Sequence, residues 1–233
     1  MAQPGVSRSA DCCSDMATGS GLGDCCRAGA RTPEGIAEID SRRISPEMAD
    51  VRSAGFTLLL EEGRSVPPID VATASGVSEI EVQARLAETV AEGRARLDKS
   101  EDLIGIAGLS VVPTRHRLDI DHRTWFTWCA LDAVGILGAL EADGRVTSIE
   151  PDTGDRIVID FVGGVPAGPA SMFILRGYDG SNVVDEWCSQ VNFFVDAAAA
   201  EAWAEAHHRD GDIVSIADVA GEAAQMWGDV VRP

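Results

Sequence analysis

The sequence predicts an α+β protein: an N-terminal winged-helix-like helical module packed on a mixed, mainly antiparallel β-sheet core with flanking helices. Three observations predict it. Apolar residues recur at helical spacing over residues 45–90. Short apolar or alternating runs bounded by turn residues dominate residues 103–195. Strands cluster and are framed by helices, rather than alternating one for one with them.

The elements follow in order. Residues 1–40 are rich in Gly, Ala, Ser and Asp with little periodicity, and read as a mobile tail. Within it Asp11-Cys12-Cys13 is echoed by Asp24-Cys25-Cys26. Order is expected from Ser45, an N-cap followed by Pro46 and Glu47, with Phe56, Leu59 and Leu60 as the buried stripe and Gly63 as the stop. A helix-turn-helix follows, with Gly76 in its turn and Ser78 capping its second helix. Strands at 103–112 and 115–120 complete the winged-helix-like module, which is bounded at 41–112.

In the remaining part, 113–233, Trp125, Trp128, Leu131, Ile136 and Leu140 at helical spacing predict one helix over 125–140, capped by Asp121 or Thr124. Residues 146–149 and 156–162 predict a hairpin about Asp152-Thr153-Gly154. Strands are expected at 172–175, 183–195 and 213–216. Helices are expected at 197–207, capped by Asp196, and at 217–230.

The composition excludes some functions. The 233-residue chain is 45% hydrophobic, enough for a sizeable core, and carries a net charge of −19. Such a charge argues against nucleic acid and anionic membrane surfaces as partners. The second helix of the helix-turn-helix carries Glu79, Glu81 and Glu88 against Arg85, so the module reads as packing rather than DNA-binding. No apolar run spans a membrane, and Met1 to Asp11 lack the apolar core of a secretory signal, which predicts a cytoplasmic protein. There the six cysteines are expected as thiols.

Cys129 and Asp132 are three apart, which on a helix places them on one face and within reach of each other. In a strand, Cys188, Gln190 and Asn192 face one way, while Trp187, Val191, Phe193 and Val195 face the other. Cys188 then shares its face with polar groups, which suits a site better than a core. Spacing alone leaves both readings open, since a lone buried cysteine is often only a small apolar side chain. The four histidines, His116, His122, His207 and His208, show no metal-ligand spacing and read as structural.

Trp128-Cys129-Ala130-Leu131-Asp132, after Asp119-Ile120-Asp121-His122-Arg123, resembles the signature of the organomercurial (alkylmercury) lyases. The segment Glu186-Trp187-Cys188-Ser189-Gln190-Val191-Asn192-Phe193-Phe194 is similar to the family's second cysteine segment, in the same order and at similar separation. The stretch from Asp102 to Leu109 matches the strand before them. The resemblance covers roughly residues 45–230. It implies an enzyme that cleaves the carbon–mercury bond of alkyl and aryl mercury compounds, giving a hydrocarbon and Hg(II). Cys129 and Cys188 would be the mercury ligands, and Asp132 the proton shuttle and third ligand. It also implies that no organic cofactor is needed, that small external thiols support turnover, and that Hg(II) passes to a mercuric reductase. Two departures stand out. Ser189 occupies the place of a second cysteine, and Ile149-Glu150 the place of a hairpin cysteine; neither belongs to the catalytic trio. Cys12, Cys13, Cys25 and Cys26 are candidate accessory mercury ligands on a flexible arm.

Two other functions remain in view. One is a non-enzymatic soft-metal binder or sensor. The other is a thiol oxidoreductase or cysteine hydrolase, against which the body offers no C-x-x-C motif.

Overall fold

The computed structural model describes residues 32–41, 46–180 and 182–231. Its frame is an eight-stranded sheet of β1 (Ala95–Leu97), β2 (Leu103–Ile106), β3 (Leu109–Ser110), β4 (His116–Ile120), β5 (Arg123–Thr127), β6 (Gly144–Ile149), β7 (Arg156–Val162) and β8 (Val165–Ala167). The spatial order is β1-β2-β3-β5-β4-β6-β7-β8. A second sheet places β9 (Ser171–Leu175) between β10 (Asn192–Phe194) and β11 (Gly211–Ser215). Among the described residues every strand pair is antiparallel, so the sheets are not mixed.

The seven helices described are α1 (Glu34–Ser41), α2 (Ala49–Glu62), α3 (Pro68–Ser75), α4 (Glu79–Ala91), α5 (Ala130–Leu140), α6 (Ala197–Ala206) and α7 (Ile216–Val231). α1 falls inside the stretch read as a tail. It forms because Ile36 and Ile39 find an apolar surface to bury against, and because Asp212 Oδ2 accepts a 2.9 Å hydrogen bond from Gly35 N in its first turn. The expected cap Ser45, like residues 1–31, lies outside the described residues. The helix it was to cap starts at Ala49, after a 3-10 turn at Pro46–Met48.

The local rules hold well in this region. Gly63 (φ 64°) and Gly76 (φ 71°) end α2 and α3 in the left-handed conformation, and Ser78 Oγ accepts from Glu81 N at 3.3 Å to start α4. The strand expected over 103–112 is instead the hairpin β2–β3, turned at Ala107 (φ 52°) and Gly108 (φ 83°). Because β3 pairs with β5, one sheet runs across position 112, where a module boundary was expected.

Two element readings are corrected. Residues 123–127 are strand β5, not helix, and α5 starts at Ala130. Trp125 is buried from that strand, with Nε1 donating to Leu59 O at 3.0 Å. Asp121 and His122 (φ 47° and 64°) form the tight turn between β4 and β5, and Thr124 lies in β5, so neither Asp121 nor Thr124 caps a helix. The strand expected over 183–195 is mostly helical turns: a π-helical turn at Val183–Trp187 and a 3-10 turn at Cys188–Gln190, with a strand only at Asn192–Phe194.

The main core is built around α5, and a smaller cluster of Phe173, Phe194 and Trp203 lies apart from it around α6. From Ala130 to Leu137 every residue of α5 is buried. α5 lies close against α7: a methyl group added at Gly135 would come within 2.1 Å of the Trp227 ring. Trp227 Nε1 in turn donates to Ala107 O at 2.7 Å, which ties α7 to the β2–β3 turn.

Candidate active site

Cys129 is the residue on which α5 begins. Its backbone is extended (φ −144°, ψ 174°), and its side chain does what a serine or aspartate usually does at an N-cap. Sγ accepts from Asp132 N at 3.4 Å, while Asp132 Oδ2 accepts from Cys129 N at 2.8 Å. This is a capping box written with Cys and Asp in place of the common Ser/Thr and Glu/Gln.

The neighbours of Cys129 bring in the other parts. Trp128 N donates to Gly108 O at 3.0 Å, docking the β2–β3 turn. Ala130 N donates to Val191 O at 3.0 Å, and Val191 N to Cys188 O at 3.2 Å, docking the turns that carry Cys188. As a result the two sulfurs and a carboxylate oxygen of Asp132 lie within 4.8 Å of one another. All three residues are buried: Cys129 is 0% exposed, Cys188 2% and Asp132 5%. Among the described residues they form the one such cluster of cysteine and acid side chains able to hold a metal ion.

Gly108 presses against this group. A methyl group there would stand 2.3 Å from Asp132 Oδ1, and its φ of +83° favours glycine in any case. Its role was missed in the sequence; the available signal was a glycine interrupting an apolar strand pattern.

Burial sets the electrostatics. It pushes Asp132 from an ordinary value near 3.8 up to about 6, while the hydrogen bonds from Cys129 and the charge of Arg52 pull the other way. The Cys129 thiol is held well above its usual value by burial, by its hydrogen bond with Cys188 and by the Asp132 carboxylate. For Cys188 the hydrogen bond with Cys129 favours the thiolate, but burial and Asp132 outweigh it and the net shift is upward. Both sulfurs therefore rest as thiols near neutral pH, beside a carboxyl able to take a proton.

Asp132 and Cys188 line a cavity of about 360 Å³, with Cys129 fully buried beside them. Its walls are mainly apolar, with Trp128, Leu131, Trp187, Met226 and Trp227 among them. This space suits a small organic group.

The remaining sequence candidates lie elsewhere. Cys12, Cys13, Cys25 and Cys26 are outside the described residues. Ser189 is exposed and donates to Asp185 O at 2.7 Å, and buried Glu150 accepts from Thr153 Oγ1 at 2.6 Å. His116 is buried against Phe193, with Nδ1 2.9 Å from Ser148 Oγ, and His207 pairs with Asp152 at 2.8 Å.

Comparison with known proteins agrees with this geometry. Residues 109–228, just over half of the chain, match the family model described as "MerB: Alkylmercury lyase". An alkylmercury lyase of Bacillus cereus is 31% identical over 177 residues, covering 73% of this chain and 77% of the relative. One of Clostridium butyricum matches to the same extent. A crystal structure of the mercury-bound form of MerB2 shares the fold, with a TM-score of 0.74 at 20% identity over 84% of this chain and 97% of that one. The chain belongs to the alkylmercury lyase family.

Proposed function

We propose that this chain cleaves the carbon–mercury bond of organomercurials at Cys129, Cys188 and Asp132, for mercury detoxification. The observation that carries the assignment to these residues is the convergence of two buried sulfurs and one carboxylate oxygen within 4.8 Å. Mercury is the substrate's own metal, and thiolate is the softest ligand a protein offers it.

The steps balance without an oxidant or a reductant. The organomercurial arrives as a thiolate adduct. The Cys129 sulfur displaces the carrier, forming one S–Hg bond as another breaks, and its proton leaves on the carrier thiol. Cys188 then adds to mercury, and the Asp132 carboxylate takes the Cys188 proton. A second thiolate raises the electron density on mercury and on its carbon. The C–Hg bond breaks with its electron pair going to carbon, which receives the proton from Asp132 and leaves as the hydrocarbon. Hg(II) stays on two thiolates with the carboxylate beside it. Two external thiols then exchange onto the metal, hand their protons back to the cysteines and carry Hg(II) away. A carboxyl near 6 suits both halves of this transfer, because it is ionised enough to accept and acidic enough to give back.

The same reading places the protein in the cytoplasm, where thiols stay reduced, without an organic cofactor and with a mercuric reductase as the acceptor of Hg(II). Cys12, Cys13, Cys25 and Cys26 would relay mercury to or from the core by thiol exchange. α2, α3, α4 and the first strands would form a winged-helix-like packing module. In α4, Arg85 is engaged by Glu81 and by the carbonyl of Glu47, which leaves no basic reading face there.

The test is a headspace assay for benzene from phenylmercury in excess thiol. More than one benzene per chain supports the enzyme reading. Stoichiometric mercury uptake without benzene would favour a binding or sensing protein.

A further inference from the structure

Most walls of the cavity beside Cys188 and Asp132 are fixed in place. Trp227 is held by its 2.7 Å hydrogen bond to Ala107 O and by close packing on Gly135. Trp187 Nε1 donates to Leu175 O at 3.1 Å. The Trp128 ring lies against Gly105, where an added methyl group would stand 2.9 Å from it. Leu131 is 0% exposed within α5. Side chains packed or bonded in this way give way to a larger ligand only by shifting their neighbours.

Met226 is of another kind. It reaches the same cavity from α7, is partly buried and packs against the main core. Among the described residues that line the cavity it is the one long, unbranched apolar side chain. Three rotatable bonds let such a chain fill irregular space, and its thioether is too weak an acceptor to tie it down.

The helix beneath Met226 is held on both sides. Trp227, the next residue, is anchored to Ala107 as above. Three residues on, Asp229 O accepts from Ser53 Oγ at 3.2 Å, which ties α7 to α2. Adjustment of this wall therefore lies in the Met226 side chain and not in the α7 backbone.

We infer that Met226 is a specificity-determining residue: the adjustable wall against which the organic group of the mercurial packs, setting the preference between small alkyl and larger aryl groups. It folds into the space left by a small group and withdraws from a large one. The rigid tryptophans supply apolar contact that does not change with the size of the group. The kinetic part of the inference rests on the lyase reading above; the part that concerns the shape of the cavity does not.

The experiment compares wild type with Met226→Ala and Met226→Phe. It measures kcat/KM for 1-naphthylmercury and for methylmercury in excess thiol, by release of naphthalene and of methane. The quantity read is the ratio of the two, because a loss of folded protein lowers both alike and leaves their ratio unchanged. The naphthyl-to-methyl ratio is expected to rise about tenfold or more in Met226→Ala and to fall by about as much in Met226→Phe. A second measurement needs no mercury: equilibrium dialysis of naphthalene and of benzene against the same three proteins. The naphthalene-to-benzene affinity ratio is expected to move in the same two directions. A naphthyl-to-methyl ratio that stays the same in both variants would overturn the assignment of Met226. A wild type that releases neither hydrocarbon would overturn the lyase reading instead. The dialysis ratio then decides the wall alone: moved as expected it stands, unmoved it falls.

Discussion

Cys129 and Asp132 close the first turn of α5 on each other: the sulfur accepts from the Asp132 amide at 3.4 Å, and the Asp132 carboxylate accepts from the Cys129 amide at 2.8 Å. The two side chains proposed for chemistry are thus held by the hydrogen bonds that start the helix. Neither can drift without uncapping α5.

This double duty allows structure and chemistry to be separated. Serine is among the best N-caps, and asparagine can still accept from the Cys129 amide. Cys129→Ser and Asp132→Asn should therefore melt within about 4 °C of wild type. Asp132→Asn should still lose about 10²–10⁴-fold in turnover, because an amide cannot shuttle the proton. Thermal melts beside benzene release check both halves.

Gly108 should matter through Asp132. Gly108→Ala meets a left-handed backbone cost of roughly 1–3 kcal/mol and puts a methyl group 2.3 Å from Asp132 Oδ1. Gly154→Ala is the control: its φ of +74° carries the same backbone strain, but no atom lies within 4 Å of the added carbon. Both variants should lower the melting temperature. Only Gly108→Ala should lower kcat, and equal activity in the two would contradict the proposed contact.

The α5–α7 contact sets a second packing limit. Gly135→Ala favours the helix by about 1 kcal/mol, yet the new methyl group lies 2.1 Å from a Trp227 ring anchored through Nε1 to Ala107. Overpacking should win, with a net loss of roughly 2 kcal/mol in urea unfolding.

His116 makes stability depend on acid. Burial, and secondarily Arg115, lower it from about 6.5 to about 3, so in the folded protein it stays neutral where the unfolded chain binds a proton. Its contribution is complete above pH 6.5 and is lost as pH falls from there towards 3. Asp132 acts in the opposite sense: its raised value makes the folded state hold a proton between about 3.8 and 6. In an Asp132→Asn background that opposition is gone. Lowering the pH from 7 to 5 should then cost on the order of 2 kcal/mol through His116. Adding His116→Gln should remove that loss, as measured by urea unfolding at the two pH values.

Much of this was legible where local rules decide. Ser78 and Asp196 cap α4 and α6 as their side-chain chemistry predicts, and β7 alternates buried and exposed residues along its length. The region before Cys129 misled because Trp125 and Trp128 stand in phase with the apolar face of α5. Only pairing with β4, a long-range contact, makes residues 123–127 a strand. Cys188 was placed in a site by the wrong argument. It lies in a 3-10 turn after a π-helical one started by Asn182, whose Oδ1 accepts from Asp185 N at 3.0 Å, so strand alternation never applied. Gly108 gains its meaning only when the β2–β3 turn closes on the start of α5, which no local pattern encodes.

The central claim is that both sulfurs must hold one mercury for the carbon bond to break. A single-turnover assay of hydrocarbon from protein-bound phenylmercury addresses it most directly, run on wild type and Cys188→Ser in a background with Cys12, Cys13, Cys25 and Cys26 changed to serine. The predicted result is one benzene per chain from wild type and none above buffer from Cys188→Ser, although the variant still retains phenylmercury on Cys129. Benzene released by Cys188→Ser at the wild-type rate would contradict the two-thiolate account.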